Sequence, residues 1–145
     1  MVSLLDVNVL IALFDPTHVH HDATHTWFGE NAAHGWATCA LTENAVVRIL
    51  SNPSYPGRRT TLRDAASHLR QFCESARHTF WASSVSLLDT TRFRLNHVQG
   101  HQQITDVYLL CLAVHEGGRL ATLDGAIALR SVAGAAASNL VVVGA

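Results

Sequence analysis

Val2-Ser3-Leu4-Leu5-Asp6-Val7-Asn8-Val9-Leu10-Ile11-Ala12-Leu13 is the stretch whose reading decides the fold. Residues 2–5 read as a short buried strand, and the apolar residues after Asp6 extend far enough for a helix, so an acid stands at a strand-to-helix junction. The pattern recurs along the chain. Glu43 follows Trp36-Ala37-Thr38, Asp106 precedes Val107-Tyr108-Leu109-Leu110-Cys111-Leu112-Ala113-Val114, and Asp124 follows Leu120-Ala121-Thr122-Leu123. If those strands are parallel neighbours, the four carboxylates converge on one rim of one sheet. Carboxylates that close repel one another, and a hard divalent cation held by oxygen ligands is the usual means of stabilising them near neutral pH. The chemistry this favours is metal-dependent hydrolysis of a phosphodiester.

Working outward, the periodicity predicts strands near 2–5, 35–38, 78–81, 119–122 and 140–143. Helices are expected near 7–14, 19–32, 42–51, 60–76, 105–117 and 124–131. Such alternation specifies a three-layer α/β/α fold with a mostly parallel five-stranded sheet, in a single domain over 1–145. In sheets of this kind ligands bind beyond the carboxyl ends of the strands, where Asp6 and Asp124 fall. The breaker-rich loop Ser51-Asn52-Pro53-Ser54-Tyr55-Pro56-Gly57 is expected near that rim, within reach of substrate or partner.

Composition removes several other chemistries. The formal net charge of −1 gives no general nucleic-acid-coating surface, so any such contact must be local. All ten cationic side chains are arginine. Without lysine there can be no P-loop and no Schiff-base enzyme, and the phosphatases and receiver domains that place a lysine beside a phosphoryl group are excluded as well. Cys39, Cys73 and Cys111 lie far apart and have no metal-ligand spacing, which suits reduced, mostly buried residues of a cytosolic protein. No secretory signal and no membrane span are expected.

Each candidate has a plainer reading. Asp6 and Asp124 can cap helices, and Glu43 in a first helical turn suits the helix dipole. Asp106 is the costlier choice, because the helix it opens is apolar and central. What favours function is the conjunction of four acids at one predicted sheet edge. His18, His20, His21 and His25 crowd one segment, and His21 with His25 have a spacing that could hold zinc, although a polar helix start explains them better. His101, five residues before Asp106, is a candidate for substrate phosphate. Arg58 with Arg59 and Arg92 with Arg94 are the arginine pairs that could make a local nucleic-acid contact.

The segment Leu4 to Leu13 resembles the opening of PIN-domain ribonucleases. Trp36-Ala37-Thr38-Cys39, Leu41-Thr42-Glu43-Asn44, Arg48-Ile49-Leu50-Ser51-Asn52-Pro53, Val85-Ser86-Leu87-Leu88-Asp89, Gly100 to Asp106 and Gly118-Arg119-Leu120-Ala121-Thr122-Leu123-Asp124 narrow the likeness. Together they resemble the VapC-like toxins of type II toxin–antitoxin systems, in a group abundant in mycobacteria. The resemblance implies Asp6, Glu43, Asp106 and Asp124 as catalytic acids, with Asn8 and Thr122 in support. Mg²⁺ or Mn²⁺ would be held mainly by Asp6 and Asp106. It also implies a homodimer, a VapB-like antitoxin, and structured RNA such as tRNA or rRNA cleaved by metal-activated water in the cytoplasm. Gln102 departs from the pattern, standing where the family commonly has a basic residue. Two alternatives are a catalytically silent PIN-fold module acting through an antitoxin–DNA complex, and an α/β phosphatase of small phosphoesters.

Overall fold

The computed structural model describes residues 1–75 and 77–144. The expected helix over 60–76 and the expected domain over 1–145 each end on a residue outside that description. Five strands, β1 (Ser3–Leu5), β2 (Trp36–Cys39), β3 (His78–Trp81), β4 (Arg119–Thr122) and β5 (Leu140–Val142), form one sheet in the order β3-β2-β1-β4-β5. Every pair is parallel. The helices are α1 (Val7–Phe14), α2 (His21–Asn31), α3 (Ala40–Leu50), α4 (Leu62–Cys73) and α5 (Ile104–His115).

Strand alternation divides the core into two layers. Leu4 is paired with Ala37 and Leu120, and all three face the side covered by α5, with Leu109, Leu110 and Leu112. Leu5, one residue on, is paired with Ala121 and faces the opposite side, where Val9, Leu10, Val46 and Trp36 pack. Burial on both faces is why Leu4-Leu5 in β1 and Leu120-Ala121 in β4 are consecutive apolar residues rather than alternating ones, while the polar Ser3, Arg119 and Thr122 at the strand ends are held by hydrogen bonds. The three-layer expectation is met. No helix among the described residues is long and apolar enough to cross a membrane.

Helix starts follow from local chemistry. Thr61 caps α4 by accepting a hydrogen bond from the Asp64 amide at 3.1 Å. At α3 the Thr42 hydroxyl accepts from the Cys39 amide at 3.0 Å, tying the first turn back to the end of β2. The helix expected over 124–131 does not form. Asp124 Oδ1 instead accepts from the Ala126 amide at 2.9 Å, a side-chain turn that competes with helical bonding, and only a 3-10 turn at Leu129–Ser131 follows. The segment still contributes to the core through Ile127 and Val132, which pack in the α5 layer.

The 51–57 loop also departs from expectation. Tyr55 donates its hydroxyl proton to Asp15 Oδ2 at 2.5 Å, tying the loop to the C-terminal end of α1. That is the end remote from Asp6, separated by the roughly 12 Å rise of an eight-residue helix.

Gly118, entering β4 from α5, is buried because the backbone of Val2 and the Trp81 ring close over it. A Cβ there would lie 2.5 Å from the Val2 carbonyl oxygen and 2.7 Å from the Trp81 ring. Gly118→Ala is therefore expected to lower stability by about 1–3 kcal/mol through overpacking. Urea or thermal melts check this, and an unchanged midpoint would show that the β4 entrance is not tightly packed.

Candidate active site

The strand order places β1 and β4 side by side, although 113 or more residues separate them, and the chain turns to opposite sides of the sheet on either side of that pair. This is the crevice where parallel α/β sheets bind ligands. Asp6 leaves β1 there and Asp124 follows β4 by two residues. Asp106 arrives on the first turn of α5, which packs over the same two strands.

Thr122 joins the pieces. Its hydroxyl donates to Asp6 Oδ2 at 2.7 Å and accepts from the Asp124 amide at 3.1 Å. Asn8 adds a second tie, donating through Nδ2 to Thr122 Oγ1 at 3.4 Å and accepting from the Leu123 amide at 3.2 Å. Asp6 Oδ1 accepts from the Val7 amide at 2.7 Å, so the acid both caps α1 and points into the crevice. Asp6 is 3% exposed, whereas Asp106 and Asp124 are half-buried.

The aspartates repel one another. Burial pushes the Asp6 carboxyl above its ordinary value, the bonds from Thr122 and Val7 pull back, and the Asp124 charge adds to the rise. Burial, then the charges of Asp6 and Asp124, push Asp106 up to about 6. Asp106 has no hydrogen-bond donor facing its carboxylate among the described residues. Among the described residues the ion pair is Arg92 with Asp89, at 3.4 Å, and none of the three aspartates has an arginine partner.

Glu43 is placed differently. Its Oε2 accepts from Thr38 Oγ1 at 2.7 Å, and its charge acts on Cys73 and His78. The sequence suggests four converging acids, and the structure brings together Asp6, Asp106 and Asp124 while Glu43 sits with Thr38.

No family model matches the chain. Among curated proteins, ribonuclease VapC44 of Mycobacterium tuberculosis is 41% identical over 140 residues, which is 97% of this chain and 98% of that protein. Ribonuclease VapC39 of the same organism is 44% identical over 134 residues, covering 92% and 96%. The chain belongs to the VapC ribonucleases. The crystal structure of M. tuberculosis VapC20, titled a sarcin-ricin loop cleaving toxin, matches with a TM-score of 0.62 at 12% identity, over 86% of this chain and 91% of that one. At that identity the likeness shows the PIN-like fold.

The remaining candidates scatter over the VapC surface. Arg58 and Arg59 are exposed beside Phe14 and Asp15, at the end of α1 remote from Asp6, lining a cavity of about 470 Å³. Arg92 is engaged with Asp89, and Arg94 is exposed on the following turn. His101 stands exposed on the 3-10 turn that leads into α5. His21 Nδ1 lies 2.7 Å from the Ala12 carbonyl oxygen, which ties α2 to α1 and fits the structural reading of the histidine segment. No local sequence pattern joins Thr38, Cys73 and His78 to Glu43. Only the parallel register, which sets Trp36 against His78 and Thr38 against Phe80, gathers Thr38 and His78 on one face.

The elevated Asp106 value has a sign that can be measured. Between an ordinary carboxyl value of 3.8 and about 6, the folded protein holds a proton that the unfolded chain has lost. Stability in the presence of chelator therefore falls as pH rises through that window. The loss relative to Asp106→Asn is expected to be about 1–2 kcal/mol once the half-buried group is discounted for solvent screening. Parallel pH-dependent melts check this. Identical slopes for the two proteins would mean that Asp106 titrates normally.

Proposed function

We propose that this ribonuclease is a metal-dependent endonuclease toxin of a type II toxin–antitoxin module, acting on structured RNA in the cytoplasm. The observation that carries the reading is the convergence of Asp6, Asp106 and Asp124 on the β1–β4 crevice, with no cationic side chain paired to them among the described residues. An all-oxygen donor set of this kind fits Mg²⁺ or Mn²⁺. When bound, either ion would stabilise charge developing on the phosphate and make a water acidic enough for in-line attack.

The chain's own residues have separable parts in this proposal. Asp6 and Asp106 hold the cation. Asp6 is locked by Val7 and Thr122, so its orientation is set before any ligand arrives. Asp106 has no protein donor on either oxygen among the described residues, so both are left for a cation, whose charge would offset the burial and repulsion that raise it to about 6. Asp124 uses Oδ1 for the Ala126 turn and leaves Oδ2 to orient water or a second ion. Thr122 and Asn8 support these acids. Glu43 would join by giving up its bond to Thr38.

RNA contact would be shared by Arg92, Arg94 and by His101 on the turn before α5, with Arg58 and Arg59 meeting more distant parts of a folded substrate. A VapB-like antitoxin and a second copy of the chain are the proposed partners. Leu41 and Leu62, which are 42% and 66% exposed, offer apolar surface for such contacts. The substrate class, tRNA or rRNA, follows the family resemblance.

The test is cleavage of end-labelled RNA with Mg²⁺ or Mn²⁺ against EDTA, beside Asp106→Asn. Discrete products ending in 3′-hydroxyl and 5′-phosphate are expected, with the variant reduced roughly 100-fold or more, as for loss of other groups that stabilise the transition state. Cleavage that resists EDTA, or ends carrying 2′,3′-cyclic phosphate, would refute hydrolysis by external water.

A further inference from the structure

Glu43, Cys73 and His78 offer a carboxylate oxygen, a sulfur and an imidazole nitrogen that all lie within 4.8 Å of one another. They come from the first turn of α3, the last residue of α4 and the first residue of β3. All three are half-buried. Thr38 Oγ1 stands between two of them, 2.7 Å from Glu43 Oε2 and 2.8 Å from His78 Nε2. The Trp36 ring, with its centroid 4.6 Å from that of His78, closes one side. Glu43 and Cys73 also line a cavity of about 690 Å³ between α3 and α4, which gives a small ion a way in.

This donor set differs in kind from the aspartate rim. Sulfur and nitrogen ligands select borderline and soft cations, and an N/O/S trio with a free fourth position is a familiar zinc arrangement. We propose that Glu43, Cys73 and His78 form a second cation site in this chain, selective for Zn²⁺ over Mg²⁺. Zinc bonds of about 2.0–2.3 Å bring ligands roughly 3–4 Å apart, a contraction that side-chain rotation supplies. Burial pulls His78 down, so its ring is in the neutral form that ligates. Burial and the Glu43 charge push the Cys73 thiol up, and a cation between the two groups offsets both effects. On binding, the thiol proton leaves to solvent as the sulfur–metal bond forms.

One consequence rests on the function proposed above: an ion that holds Glu43 beside Cys73 withdraws that acid from the reaction, so Zn²⁺ inhibits cleavage. The site itself is tested without activity. One equivalent of Co²⁺ added to the reduced full chain should give a thiolate-to-cobalt charge-transfer band in the near ultraviolet, displaced by Zn²⁺. The band should vanish in Cys73→Ser and His78→Gln and persist in Asp106→Asn and His21→Ala. As a check that needs no variant, Zn²⁺ should slow alkylation of Cys73 in the wild type at least tenfold, mapped by mass spectrometry. No band, a band that survives Cys73→Ser, or unprotected Cys73 would overturn the site. If the band forms and Zn²⁺ leaves RNA cleavage untouched, the site stands and the part given to Glu43 fails.

Discussion

Parallel pairing of β1 with β4 is the constraint from which the site follows. It sets Leu5 against Ala121, so the residues just beyond, Asp6 and the Thr122-Leu123-Asp124 turn, must emerge together at the carboxyl edge of the sheet. The Thr122 hydroxyl then serves both acids at once, as donor to Asp6 and acceptor for the Asp124 amide. A hydroxyl can do this because it carries one proton and two lone pairs. Valine would match its shape and lose both bonds.

Packing and electrostatics oppose each other in this region. The β1, β4 and α5 core is among the most fully buried in the molecule, with Leu4, Leu5, Leu109, Leu110 and Leu120 all at 0% exposure. That packing holds three carboxylates in one crevice, where burial first and the neighbouring charges second raise Asp6 and Asp106. The cost falls where a ligand can relieve it, as at other sites that store unfavourable energy for binding. On the other face, Glu43, Cys73 and His78 form a cluster of different chemistry, supported by Thr38 and Trp36 rather than by the β1–β4 pair.

How much was legible from the sequence depends on what fixes each residue. Asp6, Asp106 and Asp124 were visible because element boundaries place them, and apolar runs mark those boundaries well. The strand positions and the three layers were legible for the same reason. Glu43 was harder: its position in α3 was clear, but its partners come from the β2–β3 register and the end of α4, which no local pattern encodes. A helix is expected over 124–131, yet the Asp124 side chain captures the Ala126 amide and ends that option. Arg58 and Arg59 looked close to the rim because their loop follows α3. The Tyr55–Asp15 bond carries the loop to the other end of α1.

The Asp6–Thr122 bond spans 116 residues of chain, from the first strand to the fourth. Contacts of such separation form only after the intervening polypeptide exists and its loop-closure entropy has been overcome. A chain emerging from a ribosome therefore carries Asp6 long before it can carry the assembled crevice, and the Asp6–Asp106–Asp124 constellation is absent until β4 has been released. The order of synthesis therefore orders the crevice too: the nascent chain has the β1 half of the aspartate cluster and lacks the rest until the β4 half follows.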